Sequence, residues 1–289
     1  MTHRFTRRFR VRHYELDVTG HVNDVSLVRY MQEAAIEAST DLGFSPDWYR
    51  QHRVGWVVRR LSVLPLAPLT YGDELEVNTW ISGMRGVRST REYDLTLAGS
   101  GERVARGRAE WVYMDVPTGQ PIRIPDEWTA ALATTGKLED LGVRLRDSRQ
   151  TEDAYRYTSR RRVQYYELDT VQHVNHAVYL HWAGQAYFDA LHATGHPAKD
   201  THSEEWMTLR SAHEVQYFAP ARDNEDIEIV SWVCEMSEVG MAWTHEIYNV
   251  DTRKLLVRDY SVRGFVNLER EPTASPQKLI LDAVRGPTQ

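Results

Sequence analysis

The sequence predicts an α+β protein made of two tandem copies of one unit, each a long central helix wrapped by an antiparallel sheet. Three observations lead there. The stretch Tyr14–Asn23 (YELDVTGHVN) returns as Tyr166–Asn175 (YELDTVQHVN), with seven of ten positions identical. The offset of 152 then holds without a gap: Arg8, Arg10 and Val11 fall on Arg160, Arg162 and Val163, Ala34 on Ala186, and Gly43 on Gly195. Farther on, Val63, Pro68 and Trp80 fall on Val215, Pro220 and Trp232. Each copy is followed by apolar residues at helical spacing and then by several β-rich runs, so one repeat is one supersecondary unit.

The elements follow in order. Arg4 to Tyr14 alternates weakly and predicts a strand. From Asn23 to about Leu42, Val25, Val28, Met31, Ala35 and Ile36 lie on one helical face, and in the second copy Val178, Trp182, Ala186, Phe188 and Leu191 repeat the pattern between Asn175 and Thr194. Gly43 and Gly195 stand where a helix ends in a left-handed residue. Strands are expected over 54–64, 74–83, 90–98 and 104–114, then over 209–218, 227–236, 242–250 and 255–265. Pro65, Gly72-Asp73, Gly99-Ser100-Gly101 and Thr118-Gly119 mark the turns. The expected domains are 1–117 and 156–270, with a linker at 118–155 and a polar tail at 271–289.

Composition is that of a globular protein: 42% hydrophobic, 26% charged, net charge −6. That charge excludes an overall basic footprint for nucleic acid. Arginine far outnumbers lysine, and the clusters Arg59-Arg60 and Arg85, Arg88, Arg91 can still meet an anion such as the phosphate of a pantetheine carrier. The single cysteine, Cys234, rules out an intrachain disulfide, and its place after the apolar run Ile227–Val233 predicts a buried structural thiol. The N-terminus is basic without the apolar segment of a signal peptide, and no stretch approaches the ~20 apolar residues of a membrane span. A cytoplasmic protein without a membrane partner is the expectation.

The chemistry-bearing residues are Asp17, His21 and Asn23 in the first copy and Asp169, His173 and Asn175 in the second. Each Asp stands just before a helix start. Asp or Asn at a helix entry is ordinarily an N-cap. Two copies in fixed register, each led by Tyr-Glu-Leu, favour a function beyond capping. The histidines His173, His176, His181, His192 and His196 do not make a convincing metal set, since His176 and His181 would diverge by ~140° on a helix; no metal or cofactor is expected.

The motif and architecture resemble the hot-dog-fold thioesterases, including the 4-hydroxybenzoyl-CoA thioesterase group. The second copy is similar to the signature of the acyl-ACP thioesterases of plants and bacteria, in Glu167-Leu168-Asp169-Thr170-Val171-Gln172-His173-Val174-Asn175-His176 with Tyr179 behind it. The first copy shares Tyr14-Glu15-Leu16 and Met31-Gln32-Glu33-Ala34-Ala35. Together they span most of the chain as two hot-dog halves. Two departures stand out. The Asn that family carries two residues after the acid is Val171 here, and Thr19 in the first copy. The family's glutamate on a later strand has no acidic counterpart around Pro220, within Tyr217–Arg222.

The resemblance implies hydrolysis of an acyl-ACP or acyl-CoA thioester. The residue types suit that reaction: a carboxylate can attack the carbonyl or take a proton from water, and free N–H groups at a helix start favour the developing oxyanion. Asp169 is the first choice for base or nucleophile, with His173 and Asn175 polarising and positioning; Asp17, His21 and Asn23 are a second site or a relic. Trp182 and Tyr187 are candidates to line an acyl pocket. Two other functions fit the fold, a 3-hydroxyacyl-thioester dehydratase or hydratase and a non-catalytic acyl-thioester binding module. The linked halves can satisfy hot-dog pairing within one chain, so a monomer or a homodimer is expected.

Overall fold

In the computed structural model, residues 4–126, 128, 140–145, 149–197, 207–267, 273–274 and 276–287 are described, and the chain divides into two compact units, Met1–Gly142 and Val143–Gln289. The first three residues, and 268–272, 275 and 288–289 of the expected tail, lie outside the described residues.

In the first unit, β1 (Arg4–Arg10) leads through a 3-10 turn (His13–Glu15) to α1 (Asp24–Asp41), the short α2 (Pro46–His52), β2 (Val54–Pro65), β3 (Glu74–Arg85), β4 (Arg88–Leu97), β5 (Arg103–Asp115) and β6 (Gln120–Pro121). The strands form an antiparallel sheet in the order β1-β3-β4-β5-β2, with β6 on β5. In the second unit, β7 (Arg149–Gln150) and β8 (Tyr157–Arg162) precede a 3-10 turn (Tyr165–Glu167), α3 (Val178–Ala193), β9 (Met207–Tyr217), β10 (Asp226–Ser237), β11 (Gly240–Asn249), β12 (Leu255–Val266) and α4 (Gln277–Arg285). Here the order is β9-β12-β11-β10, with β8 and β7 along β10.

The duplication reaches the register of the sheets. Arg8 lies opposite Glu76, and Arg160 opposite Glu228. The ion pairs repeat too, Arg8 Nη2 to Glu76 Oε1 at 2.6 Å and Arg160 Nη2 to Glu228 Oε2 at 3.0 Å. Each helix buries most of the stripe its spacing predicts, Val25, Val28, Met31 and Ala35 in α1, and Val178, Trp182, Ala186 and Leu191 in α3, whereas Ile36 is exposed and Phe188 only partly buried. Gly43 and Gly195 adopt φ of 89° and 82°, as a left-handed helix end requires.

Three pieces differ from the reading of the sequence. The segment expected to tail off polar forms α4, whose Leu279, Ile280 and Ala283 join a core with Tyr157, Tyr187, Leu191, Trp243 and Phe265. The segment expected to join the halves supplies β6 and buries Ile124 and Trp128 against Ile81 and Tyr113. An additional helix, α2, starts at Pro46, with Ser45 Oγ accepting from Trp48 N.

Candidate active site

Both copies of the motif fold into the same hairpin-like turn. Leu16 bridges Val22 and Leu168 bridges Val174. The amide of Asp17 donates to the His21 carbonyl at 2.7 Å, and that of Asp169 to the His173 carbonyl at 2.8 Å. The strand-end loop behind each turn holds it in place, through Val22 N to Leu69 O and Val174 N to Ala221 O.

The repeated glutamate, which the sequence reading left without a role, anchors the turn to the central helix. Glu15 is buried and accepts from the Arg12 amide at 2.7 Å and the Tyr30 hydroxyl at 2.5 Å. Glu167 is buried and accepts from the Gln164 amide at 2.9 Å, the Trp182 indole N–H at 2.9 Å and the Arg161 guanidinium. Tyr30 and Trp182 are themselves equivalent at the offset of 152. The available signal was Glu three residues after the turn's start, the spacing of a capping box. Trp182 is thereby engaged in a tether. Tyr187 lies in the helix–sheet core, with the Arg263 guanidinium 3.5 Å from its ring centroid.

The two acids differ in surroundings. Asp17 is exposed, and its Oδ1 accepts from Thr19 Oγ1 at 2.6 Å and Thr19 N at 2.8 Å. Thr19 Oγ1 also lies 2.8 Å from His21 Nδ1, so one hydroxyl links histidine and carboxylate. Asp169 is half-buried, and Val171 offers only its amide, 3.0 Å from Oδ1. Burial holds the Asp169 carboxyl above the usual range, against the opposing pull of the Val171 and His173 amides and the His173 charge. His173 is held below its ordinary value by burial and by the neighbouring Arg222, with Asp169 and Glu225 pulling the other way. The turn thus holds a poorly solvated carboxyl beside an imidazole that is less basic than usual.

Arg222 and Glu225 were missed in the sequence. They sit in the β9–β10 loop, where the Arg222 amide donates to Glu225 Oε2 at 3.0 Å. Their equivalents, Thr70 and Asp73, make the same bond at 2.7 Å. The family's strand acid is absent around Pro220, yet this loop brings a carboxylate within electrostatic reach of His173 and Tyr179.

The asparagines divide. Asn23 is a helix cap: its Oδ1 accepts from Ser26 N at 2.9 Å, and its Nδ2 donates to the Glu15 carbonyl at 2.8 Å. Asn175 stands one turn ahead of α3, its Oδ1 accepting from Ala177 N at 3.0 Å. Behind it His176 is desolvated, its pKa pushed down to about 4, with the Tyr217 ring edge-on at 6.2 Å. Tyr179 Oη accepts from Ala221 N at 2.8 Å and closes the floor under the turn. Cys234 is half-buried and its thiol is pushed up to about 11, chiefly by burial, which agrees with a structural thiol. A cavity of about 160 Å³ in the second unit, lined by Tyr157, Ala186, Ala190 and Ser231, includes none of the motif residues.

Comparison with known proteins follows this geometry. Residues 2–132 match the acyl-ACP thioesterase N-terminal domain, and residues 163–284 match the thioesterase-like superfamily. The chain is 28% identical over 194 residues to an acyl-[acyl-carrier-protein] hydrolase of Cuphea viscosissima, covering 62% of this chain and 46% of that one. It is 28% identical over 193 residues to a palmitoyl-acyl carrier protein thioesterase of Cuphea hookeriana, covering 62% and 45%. The match thus spans less than half the length of these curated relatives. The fold resembles the 12:0-ACP thioesterase from Umbellularia californica, with a TM-score of 0.72 at 21% identity over 90% of this chain and 93% of that one. Family models and fold agree: the first unit is similar to the acyl-ACP thioesterase N-terminal domain, the second to the thioesterase-like superfamily, and the fold is that of tandem hot-dog units.

Proposed function

We propose that this protein hydrolyses acyl thioesters, carried on acyl carrier protein or coenzyme A, and that Asp169 does the chemistry. The observation that carries the reading is the contrast between its two acids. Asp17 is exposed and held by a threonine hydroxyl, whereas Asp169 is desolvated, lacks that hydroxyl, and faces an imidazole flanked by Arg222 and Glu225. A general base works best when its pKa is drawn toward the working pH. In this reading Asp169 takes a proton from water, and the hydroxide adds to the thioester carbonyl. The tetrahedral oxyanion then collapses, the C–S bond breaks, and the thiolate leaves to be protonated. The same carboxylate can instead attack directly, giving an anhydride that water opens. His173 and Asn175 position and polarise.

The relatives' names favour acyl carrier protein as the carrier; coenzyme A is the alternative. No described helix is long and apolar enough to cross a membrane, and a cytoplasmic monomer or homodimer is part of the proposal. The test is release of free thiol from a panel of acyl-ACP and acyl-CoA substrates. The wild type is expected to turn over substrates that Asp169→Asn does not. Equal rates for the two proteins on every substrate sink the reading.

A further inference from the structure

The cavity in the second unit sits where the two halves differ by one ion pair. Two of its lining residues, Ser159 on β8 and Asp189 on α3, are the equivalents of Arg7 and Glu37 at the offset of 152. In the first unit those side chains meet: Arg7 Nε lies 3.3 Å from Glu37 Oε1, bridging β1 and α1. The strand positions match, with Arg7 opposite Val77 and Ser159 opposite Ile229. The second unit therefore keeps an acid on its helix, shortened by one methylene, and sets no guanidinium against it.

The other walls show that the missing arginine is what leaves the room. Ala186 and Ala190 of α3 are alanine in the first unit too, as Ala34 and Ala38. Ser231 stands for Thr79, a difference of one methyl group. The largest loss of side-chain volume along the wall is Ser159 for Arg7. The cavity of about 160 Å³ is comparable to the ~150 Å³ that accepts a benzene-sized molecule.

Its charge is unbalanced in the same sense. Asp189 Oδ1 accepts from Gln185 Nε2 at 2.8 Å, one turn back along α3, and among the described residues no cation pairs with the carboxylate. Among the described residues that line the cavity, Asp189 alone carries a charge. The rings of Tyr155 and Tyr157, 4.8 Å apart at 71°, form another part of the wall. Ser231 is buried, and its Oγ lies 2.8 Å from His245 Nδ1, so the inner end of the cavity is polar. Carboxylate, aromatic faces and hydroxyl oxygens are the groups that hold an organic cation. The first supplies the counter-charge, the second an attractive quadrupole, and the third lone pairs for N–H donors.

We propose that this cavity binds a small organic cation bearing a guanidinium group, seated where the Arg7 side chain lies in the first unit. A planar guanidinium presents a fork of donors to a carboxylate and lays its face on an aromatic ring, whereas an ammonium is a compact, strongly hydrated charge. No residue of either Asp-His-Asn motif lines the cavity, so the site stands apart from the thioester reading.

Propylguanidinium, which is the arginine side chain beyond its Cα, is titrated into the ¹⁵N-labelled full-length protein while the backbone amides of Ala186, Ala190 and Ser231 are followed by NMR. Propylurea, uncharged and of the same shape, is the control. Ionic strength is held constant and low, because salt screens an exposed carboxylate. Saturable shifts with a Kd on the order of 1 mM are expected for propylguanidinium, as one ion pair in a partly open cavity allows. Propylurea should bind about tenfold more weakly, and Asp189→Asn should weaken propylguanidinium by about the same factor, the loss of one charge-assisted hydrogen bond. Ser159→Arg, which places the first unit's guanidinium in the cavity from within the chain, should abolish the shifts. Equal affinity for the two ligands overturns the proposal, as does binding that Asp189→Asn or Ser159→Arg leaves unchanged. Absence of saturable shifts at roughly ten times the expected Kd also overturns it. If Ser159→Arg does not fold, Asp189→Asn decides alone, since it changes an exposed side chain without changing its shape.

Discussion

The two hot-dog units are built on one register and filled differently. In the first, Met31 of α1 lies over Gly107, and the interior face of the sheet includes Leu61, Thr79, Tyr93 and Ala109. In the second, the equivalents of Met31 and Gly107 are Ala183 and Asp259, and the same positions of the face are His213, Ser231, His245 and Ser261. His213 Nδ1 lies 2.9 Å from Asp259 Oδ1, and Ser231 Oγ 2.8 Å from His245 Nδ1. A smaller helix residue makes room for a buried, hydrogen-bonded polar layer where the first unit packs a thioether. The motif loops diverge in the opposite sense. The first copy satisfies its Asp with Thr19, and the second leaves Asp169 with backbone amides. Duplication preserved the scaffold and let each half redistribute its polar groups, so the half whose acid is less satisfied is the half assigned the chemistry.

This contrast can be broken at several points. Asp169→Asn should lower kcat/KM by about 10²–10⁴-fold on the best acyl thioester, the range for a general acid–base group. Asp17→Asn should cost an order of magnitude less in the same assay; equal losses would mean both halves are active. Glu167→Ala should destabilise the second unit by about 3 kcal/mol in urea unfolding, because Trp182 and Arg161 lose a buried partner. If that variant unfolds like the wild type, the tether is not structural.

Gly107→Ala should cost about 1–3 kcal/mol, since a Cβ there would come 2.6 Å from Met31 Sδ. Adding Met31→Ala should recover part of that loss, as the pairing then approaches Ala183 with Asp259. Additive losses in the double mutant would show that the two sites do not touch.

The subtlest effects concern pH. Because the pKa of Asp169 is raised in the fold, the ionised acid opposes folding once pH exceeds its unfolded value. Asp169→Asn should therefore raise Tm at pH 7, an advantage that disappears as pH falls below the unfolded value. Activity that needs the carboxylate should decline as pH drops through the raised pKa. Val171→Thr, which copies the Thr19 hydroxyl, should move that acid limb down by about half a pH unit. An unmoved limb in the kcat/KM profile would deny the hydroxyl its role.

Much of this is legible in the sequence alone. Helix 24–41 was expected at 23–42, and the strands fall within a few residues of their expected places, because apolar spacing and turn residues act locally. The helix α4 lies in a tail whose one apolar stretch, Leu279–Val284, is too short to set a helical period, and it is held by Tyr157 and Trp243 far away in sequence. Likewise α2 and the burial of Trp128 depend on an aromatic cluster assembled from distant residues.

What the amino-acid order determined by itself was the duplication, the α+β class and the recurrence of Asp, His and Asn at one spacing in both copies, since all of these live in short-range spacing at a constant offset. Only the tertiary structure decided that Glu15 and Glu167 anchor the turns, that Arg222 and Glu225 reach His173, and that Ser159 and Asp189 border one cavity. Those outcomes depend on desolvation and on strand register across dozens of residues, and neither is a property of neighbouring letters.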